Sequence, residues 1–265
     1  MHSTYLVQLH SMKDPTLRFS TRAGNYVRYR PRYPEEVIET LRQECKLAPF
    51  SLVADVGSGT GALTELFLQN GNLVYAVEPN REMRETAEKL LREYPGFRST
   101  AGRAEATTLE DASLDFVVVG QAFHWFDVAS ARREFLRILK PSGWAMIVWN
   151  ERELKKTPFL RAYDQLLRRY APEYAREKHK GVYDNALKDF YGADGFIERT
   201  FNYRQELSLD GVKGRMMSSS YAPEPGHPNH EPLMAELAKA FQACQIDGRV
   251  TLEYITRMYY GRLDG

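Results

Sequence analysis

From residue 51 to residue 150, short apolar runs alternate with stretches whose apolar positions recur every three or four residues. SLVADVG, at 51–57, is apolar until it breaks at glycine and predicts a buried strand; GALTELFLQNG has the period of a helix closed by Gly71. NLVYAVEPN predicts a second strand, REMRETAEKLLREY a second helix, and PGFRSTAG a turn into a third strand. SLDFVVVG is a fourth strand, VASARREFLRILK a helix, and GWAMIVWN a fifth strand after a Pro-Ser-Gly turn. Unbroken runs such as DFVVVG belong to strands covered on both faces, and strands alternating with helices imply a parallel, doubly wound sheet.

The flanks differ. Residues 1–33 are irregular and basic, with Arg18, Arg22, Arg28, Arg30 and Arg32 interleaved with Phe19, Tyr26, Tyr29 and Tyr33. Such an arm can be solvated, can stack on RNA, or can fold over a site. Pro34 suits the first turn of a helix, PEEVIETLRQECKL. After Asn150, residues 151 to about 195 read as mostly helical, with TPFLRAYDQLLRRY amphipathic. FIERTFNYRQELSL alternates like a strand, DGVKGRMMSSSY begins a helix, and YAPEPGHPNHEP is a proline-rich loop. EPLMAELAKAFQAC is a helix and RVTLEYITRMYYG a long final strand, so residues 151–195 are expected to cap the carboxyl edge of the completed sheet.

Composition narrows the function. The 265 residues carry 36 basic and 35 acidic side chains, a formal charge of +1, which argues against a dedicated nucleic-acid binder. Cys45 and Cys244 form no CxxC, so neither a disulfide framework nor a zinc knuckle is expected. His227 and His230 are three apart in the proline-rich loop without Cys or paired acids nearby, so no metal site is expected there. No apolar stretch approaches the length of a membrane span, and a soluble cytoplasmic protein is the expectation.

The densest chemistry follows the first strand: Asp55-Val56-Gly57-Ser58-Gly59-Thr60-Gly61. Alternate glycines let a backbone approach a ligand closely. With Ala62 the loop also fits G-x-G-x-x-A, a dinucleotide pattern. Asp55 separates the two readings, because a carboxylate there suits an ammonium or hydroxyl and opposes a pyrophosphate. Glu78, at the end of the second strand, is placed to hold a ribose diol in either case.

VADVGSGTGALT, VEPN, GRAEATTL, SLDFVVVGQAFHWFD and LRILKPSGW, in that order, resemble the motifs of the class I S-adenosylmethionine-dependent methyltransferases, type 11 group. AFHWFD together with YVRYRPRYP looks like the branch that includes trans-aconitate methyltransferase-like enzymes. The resemblance implies a doubly wound Rossmann-like α/β fold: a mostly parallel seven-stranded sheet with the last strand antiparallel, plus a helical cap. It divides the chain into an N-terminal flap at 1–33, a cofactor core at 34–150, a cap at 151–195 and closing elements at 196–265. It implies S-adenosyl-L-methionine as cofactor, with Gly57, Ser58, Gly59, Thr60 and Gly61 wrapping the methionine part and Asp55 near its amino group. Glu78 would bind the ribose hydroxyls, Pro79, Asn80 and Met83 would border the adenine, and Ala104 would meet the adenine edge beside Glu105. Many relatives carry Asp before that alanine; here Arg103 stands there, leaving the adenine amino group to Glu105 or water. In the flap, Tyr26, Tyr29 and Arg30 are expected to reach inward.

Gly120-Gln121-Ala122-Phe123-His124-Trp125-Phe126-Asp127 leaves the fourth strand where ligands of open α/β sheets bind. Gln121 would bond the cofactor carboxylate or the substrate, and His124 and Trp125 would face the methyl group; Phe126, Phe123 and Trp125 are equally plausible as core. Methyl transfer is an in-line displacement governed by alignment and water exclusion. An ionised carboxylate acceptor needs no base, whereas a hydroxyl or amine benefits from one, for which His124 is the candidate. A small acid is the expected acceptor, gripped by Arg22 or Arg30 beside Tyr29 and Phe126. The competing readings are an NAD(P)-dependent oxidoreductase and a non-catalytic cofactor-binding protein. Tyr174-x-x-x-Lys178 matches a dehydrogenase pair but lies far from any strand end.

Overall fold

A computed structural model of the chain describes residues 29–175, 180–192 and 195–263. Seven strands form one sheet: β1 (Leu52–Val56), β2 (Leu73–Val77), β3 (Phe97–Thr100), β4 (Leu114–Gly120), β5 (Leu139–Arg152), β6 (Ile197–Leu207) and β7 (Val250–Gly261). Their spatial order is β3-β2-β1-β4-β5-β7-β6. The pairings among β1 to β5 are parallel, and β7 runs antiparallel to both β5 and β6. This is the mostly parallel seven-stranded sheet with its last strand reversed that the sequence led us to expect.

Among the described residues eight α-helices flank it: α1 (Glu36–Cys45), α2 (Ala62–Gln69), α3 (Arg81–Leu91), α4 (Val128–Ile138), α5 (Pro158–Tyr170), α6 (Lys180–Tyr191), α7 (Leu209–Met217) and α8 (His230–Cys244). Because successive strand side chains point to opposite faces, neighbouring residues divide between two cores. Val53, Val118, Met146 and Met258 face Val37, Leu41 and Phe67 of α1 and α2. Ala54, Val117, Ile147 and Tyr259 face Phe135 and Ile138 of α4 and Phe190 and Tyr191 of α6.

Three expectations change in detail. The Pro141-Ser142-Gly143 turn is absorbed into β5 as an irregularity, with Leu114 pairing with Leu139 and Phe116 with Trp144. At its other end β5 runs on to Arg152, past the residue where its apolar run stops. Paired with β7 and through it with β6, this extension forms a wing beyond Gly120, whose partner on β5 is Val148. The helices of 151–195 separate: α6 packs on the sheet with α4, whereas α5 joins α7, α8 and the wing. That third core holds Phe159, Tyr163, Leu167, Val212, Met216, Leu237, Phe241 and Tyr254.

Candidate functional site

β1 ends on Asp55-Val56 and hands the chain to the glycine loop, which opens α2. Gly57, Gly59 and Gly61 all have positive φ, at 72°, 57° and 89°. At Gly57 an added Cβ would sit 2.6 Å from the Ala122 Cβ, so this position also lets the loop approach the β4 terminus. At Gly59 an added Cβ meets nothing within 4 Å, so the loop faces open space there.

Two buried carboxylates bracket the loop. Asp55 is fully buried; its Oδ2 accepts a 2.6 Å bond from the Thr64 hydroxyl, while its Oδ1 has no hydrogen-bond partner. Burial pushes the Asp55 carboxyl up to about 7, against the pull of the Thr64 hydrogen bonds. Glu78 Oε2 accepts from Gly59 N at 2.9 Å and Oε1 from Asn80 N at 2.8 Å, so this carboxylate holds both the loop and the start of α3. Burial raises Glu78 above the usual carboxylate range. The Ser58 hydroxyl is buried with no hydrogen-bond partner. A buried unpaired acceptor calls for a donor, and a buried unpaired hydroxyl for a polar neighbour.

Around this centre, Asn80 caps α3 by accepting from Met83 N at 3.0 Å, with Met83 buried behind it. Arg84 donates to the carbonyls of Glu78 and Pro79 and fixes the strand end. Arg103 and Ala106 exchange backbone bonds across a tight turn that presents Ala104, which is buried, and leaves Arg103 exposed. Glu134 of α4 pins this turn, accepting from Thr107 N and Oγ1. Glu105 Oε1 accepts from Asp127 N at the head of α4, so one of its carboxylate oxygens is committed to that helix.

Gln121 follows Gly120 with φ 60°, a bend that turns the chain off the sheet; its Nε2 donates to Asn150 O at 3.3 Å. Phe123 is buried edge-on to Trp149 and Phe190, and Phe126 packs edge-on to Phe123 and Phe135 beside Gly57. His124 is exposed and Trp125 half-buried, with their rings 4.5 Å apart. The surrounding protein mass lowers the His124 imidazole to about 4, with the Arg30 charge as second cause.

Scored against known families, residues 54–147 match the family described as "Methyltransferase domain". An uncharacterized methyltransferase of Mycobacterium tuberculosis strain H37Rv is 40% identical over 143 residues, 54% of this chain and 56% of that protein. The chain thus spans little more than half the length of the mycobacterial relative. An uncharacterized methyltransferase of Schizosaccharomyces pombe is 30% identical over 204 residues, covering 76% of this chain and 77% of that protein. The chain belongs to the class I methyltransferases, in the type 11 group. The fold agrees: a solved structure from Anaeromyxobacter dehalogenans, named a type II methyltransferase, superposes with TM-score 0.65 at 22% identity. It covers 89% of this methyltransferase and is itself covered completely.

Within this family member, Asp55, the glycine loop, Glu78, Pro79, Asn80, Met83, Ala104, Gly120 and Gln121 all lie at or just beyond the carboxyl ends of β1, β2, β3 and β4. Thr60 is buried in the loop. Tyr26 and Arg22 lie outside the described residues, as do most of 1–33 and Lys178. Tyr29 lies against Gly214 of α7, where an added Cβ would collide with its ring, and its carbonyl accepts from Gln205. Arg30 Nη2 donates to the Ser218 carbonyl at 2.9 Å, so this guanidinium is tied to the end of α7. His227 bonds within its loop and His230 opens α8 with its Nδ1 at the Pro223 carbonyl; no group that could hold a metal occurs among the described residues.

The sequence reading missed a basic, tyrosine-lined cluster on the wing. Arg152, the last residue of β5, donates through Nη2 to Tyr221 Oη at 2.5 Å and lies 4.9 Å over the Tyr163 ring. Arg215 of α7 is buried and donates to Tyr254 Oη at 3.3 Å and to Ser218 and Ser219 Oγ at 3.2 and 3.3 Å. Neither residue carries a sequence signal, since an isolated arginine in a helix or at a strand end is ordinarily solvated. Only the packing of α7 and the wing brings them together, Arg215 buried and Arg152 half-buried with its Nη1 covered.

Proposed function

We propose that this protein transfers the methyl group of S-adenosyl-L-methionine to a small-molecule acceptor, leaving S-adenosyl-L-homocysteine. The observation that carries the reading is the pair of buried carboxylates on the Gly57–Gly61 loop, one with an unpaired oxygen. A pyrophosphate placed there would set negative charge against both Asp55 and Glu78. An ammonium instead brings the donor that Asp55 Oδ1 lacks, and ribose hydroxyls add donors to the Glu78 carboxylate. Bound there, S-adenosyl-L-methionine supplies an electrophilic methyl on a sulfonium.

The chain's own residues then have these roles. Asp55 Oδ1 accepts from the ammonium and Glu78 from the ribose hydroxyls, while the space at Gly59 admits the ligand against the backbone. Pro79, Asn80, Met83 and Ala104 border the adenine. Gln121, braced on Asn150, and His124 line the side from which an acceptor enters. His124 is neutral near pH 7, and an imidazole lowered to about 4 is a weak base. A carboxylic acid, ionised near pH 7 and needing no base, is the acceptor class we assign.

Calorimetry with S-adenosyl-L-homocysteine and with NADH tests the cofactor, and label transfer from methyl-labelled cofactor to small acids, alcohols, amines and bulk RNA tests the acceptor. We expect S-adenosyl-L-homocysteine to bind and a small acid to take the label. Binding of NADH alone overturns the reading, and label transfer to RNA but to no small molecule overturns the acceptor.

A further inference from the structure

A buried guanidinium is normally matched by a carboxylate, because desolvating an unpaired charge is expensive. Arg152 and Arg215 break that rule together. Among the described residues neither forms an ion pair; their only hydrogen-bond partners are neutral hydroxyls, Tyr221 for Arg152 and Tyr254, Ser218 and Ser219 for Arg215. Arg152 Nη1 and Tyr163 Oη are buried with no hydrogen-bond partner, and Arg215 Nη2 makes no hydrogen bond among the described residues. Burial favours a neutral Tyr221, yet the charges of Arg152 and Arg215 outweigh it and lower its hydroxyl below the usual tyrosine range. Among the described residues the cluster thus gathers positive charge and donors without a counter-charge.

Its position is equally specific. Tyr254 of β7 pairs directly with Arg152, and Tyr203 of β6 pairs with Tyr254, so three strands deliver the cluster to one end of the sheet. Arg152 lies four residues along β5 from Val148, the partner of Gly120, or about 13 Å at the rise of an extended strand. Between the two stands Arg30, bonded to the Ser218 carbonyl and close enough for its charge to bear on both His124 and Tyr221. Arg30 therefore links the cluster to the methyl-transfer edge.

We propose that Arg152 and Arg215, with Tyr163, Tyr221 and Tyr254, form the anchor for a carboxylate of the acceptor, distinct from the group that receives the methyl. The acceptor is then a small polycarboxylate, held at one end by two guanidiniums while the other faces the cofactor edge. Planar forks match a carboxylate in two-point bonds. This inference rests on the methyl-transfer reading above and deepens it.

The test uses the full chain, titrated by calorimetry with succinate, propane-1,2,3-tricarboxylate, the corresponding amides and inorganic phosphate, with and without S-adenosyl-L-homocysteine. We expect a polycarboxylate to bind while its amide and phosphate do not. Arg215→Gln and Arg152→Met should each weaken that binding about tenfold or more, the ratio expected from losing a charge-assisted hydrogen bond. Both should leave S-adenosyl-L-homocysteine affinity unchanged. Without acid, Arg152→Met should melt no lower than the wild type, because it removes an unmatched charge; a purely structural arginine would give a lower melting temperature. Tyr221→Phe, which removes only a hydroxyl, covers the case in which an arginine variant does not fold, and should also weaken acid binding. Wild-type binding of no acid, equal binding by the variants, or binding of phosphate as tight as that of the acids overturns the anchor. Failure of S-adenosyl-L-homocysteine to bind, with acid binding intact, would instead count against the cofactor reading alone.

Discussion

Glu78 and Asp55 divide the work at the loop, and their substitution should separate. Glu78→Ala removes an acceptor for Gly59 N and Asn80 N as well as for a ribose diol. S-adenosyl-L-homocysteine binding should weaken by about 1.5–3 kcal/mol, as for a hydrogen bond to a charged group, and unchanged affinity in calorimetry would remove Glu78 from the site. Asp55 has its carboxyl raised from 3.8 to about 7, so the folded protein holds a proton there that the unfolded chain releases. The stability this contributes is present below pH 4 and lost as pH rises through about 7. Urea denaturation without ligand should show that decline between pH 4 and 7, Asp55→Asn should flatten it, and binding of S-adenosyl-L-homocysteine should take up no proton and tighten as pH rises. The glycines offer a third contrast. Gly57→Ala adds both an unfavourable φ and a 2.6 Å clash, whereas Gly59→Ala adds only the backbone strain, about 1 kcal/mol. Gly59→Ala should therefore fold but bind S-adenosyl-L-homocysteine poorly, while Gly57→Ala should lose stability as well, as thermal melts with and without ligand would reveal.

The elements show why these residues stay in place. α4 starts on Asp127, whose carboxylate accepts from Ser130 N at 2.9 Å, and the Asp127 amide is held by Glu105. Asp127→Ala should cost about 1 kcal/mol, the usual loss for a helix cap, and should loosen the turn carrying Ala104. Urea midpoints would measure the first effect and amide exchange at 103–107 the second. α5 begins with Thr157 as cap and Pro158 in its first turn, a start that its sequence announces. β6, the outer strand, keeps Glu198, Arg199, Arg204 and Glu206 along an otherwise open edge, which discourages pairing with another chain.

Across the molecule, two packed layers on the central sheet are joined to a third core on the wing. The cofactor edge belongs to the first two and the proposed acid anchor to the third. Leu237 is fully buried in that third core, and Leu237→Ala should cost about 2–5 kcal/mol, the range for emptying a leucine site. Because none of the Asp55–Glu78 bonds reaches it, S-adenosyl-L-homocysteine affinity at a temperature where the variant is folded should stay within about twofold, less than the ~0.5 kcal/mol by which distant sites usually fail to add. A parallel loss of affinity would mean that the two cores act as one.

The central sheet was legible because its signals are local: DFVVVG and WAMIVW are unbroken apolar runs, and glycines end the strands that meet the loop. Asp55, Glu78 and the glycine loop were legible for the same reason, since residues twenty apart across one strand–helix–strand unit are brought together by that unit alone. The absorption of the Pro-Ser-Gly turn into β5 and the continuation of that strand to Arg152 depend on pairing with β4 and β7, which no window of sequence contains. The same holds for Phe126, whose ring is set by Gly57 and Phe135, and for Arg30, whose partner Ser218 is 188 residues away. Arg152 and Arg215 are the clearest case. Each reads alone as an ordinary surface cation, and only the closing of α5 and α7 over the ends of β5 and β7 excludes water and leaves two like charges with hydroxyls for company. Sequence determined the sheet and the cofactor loop through contacts within consecutive elements; tertiary packing decided the wing and its charge, because burial is a property of what a residue meets across the fold.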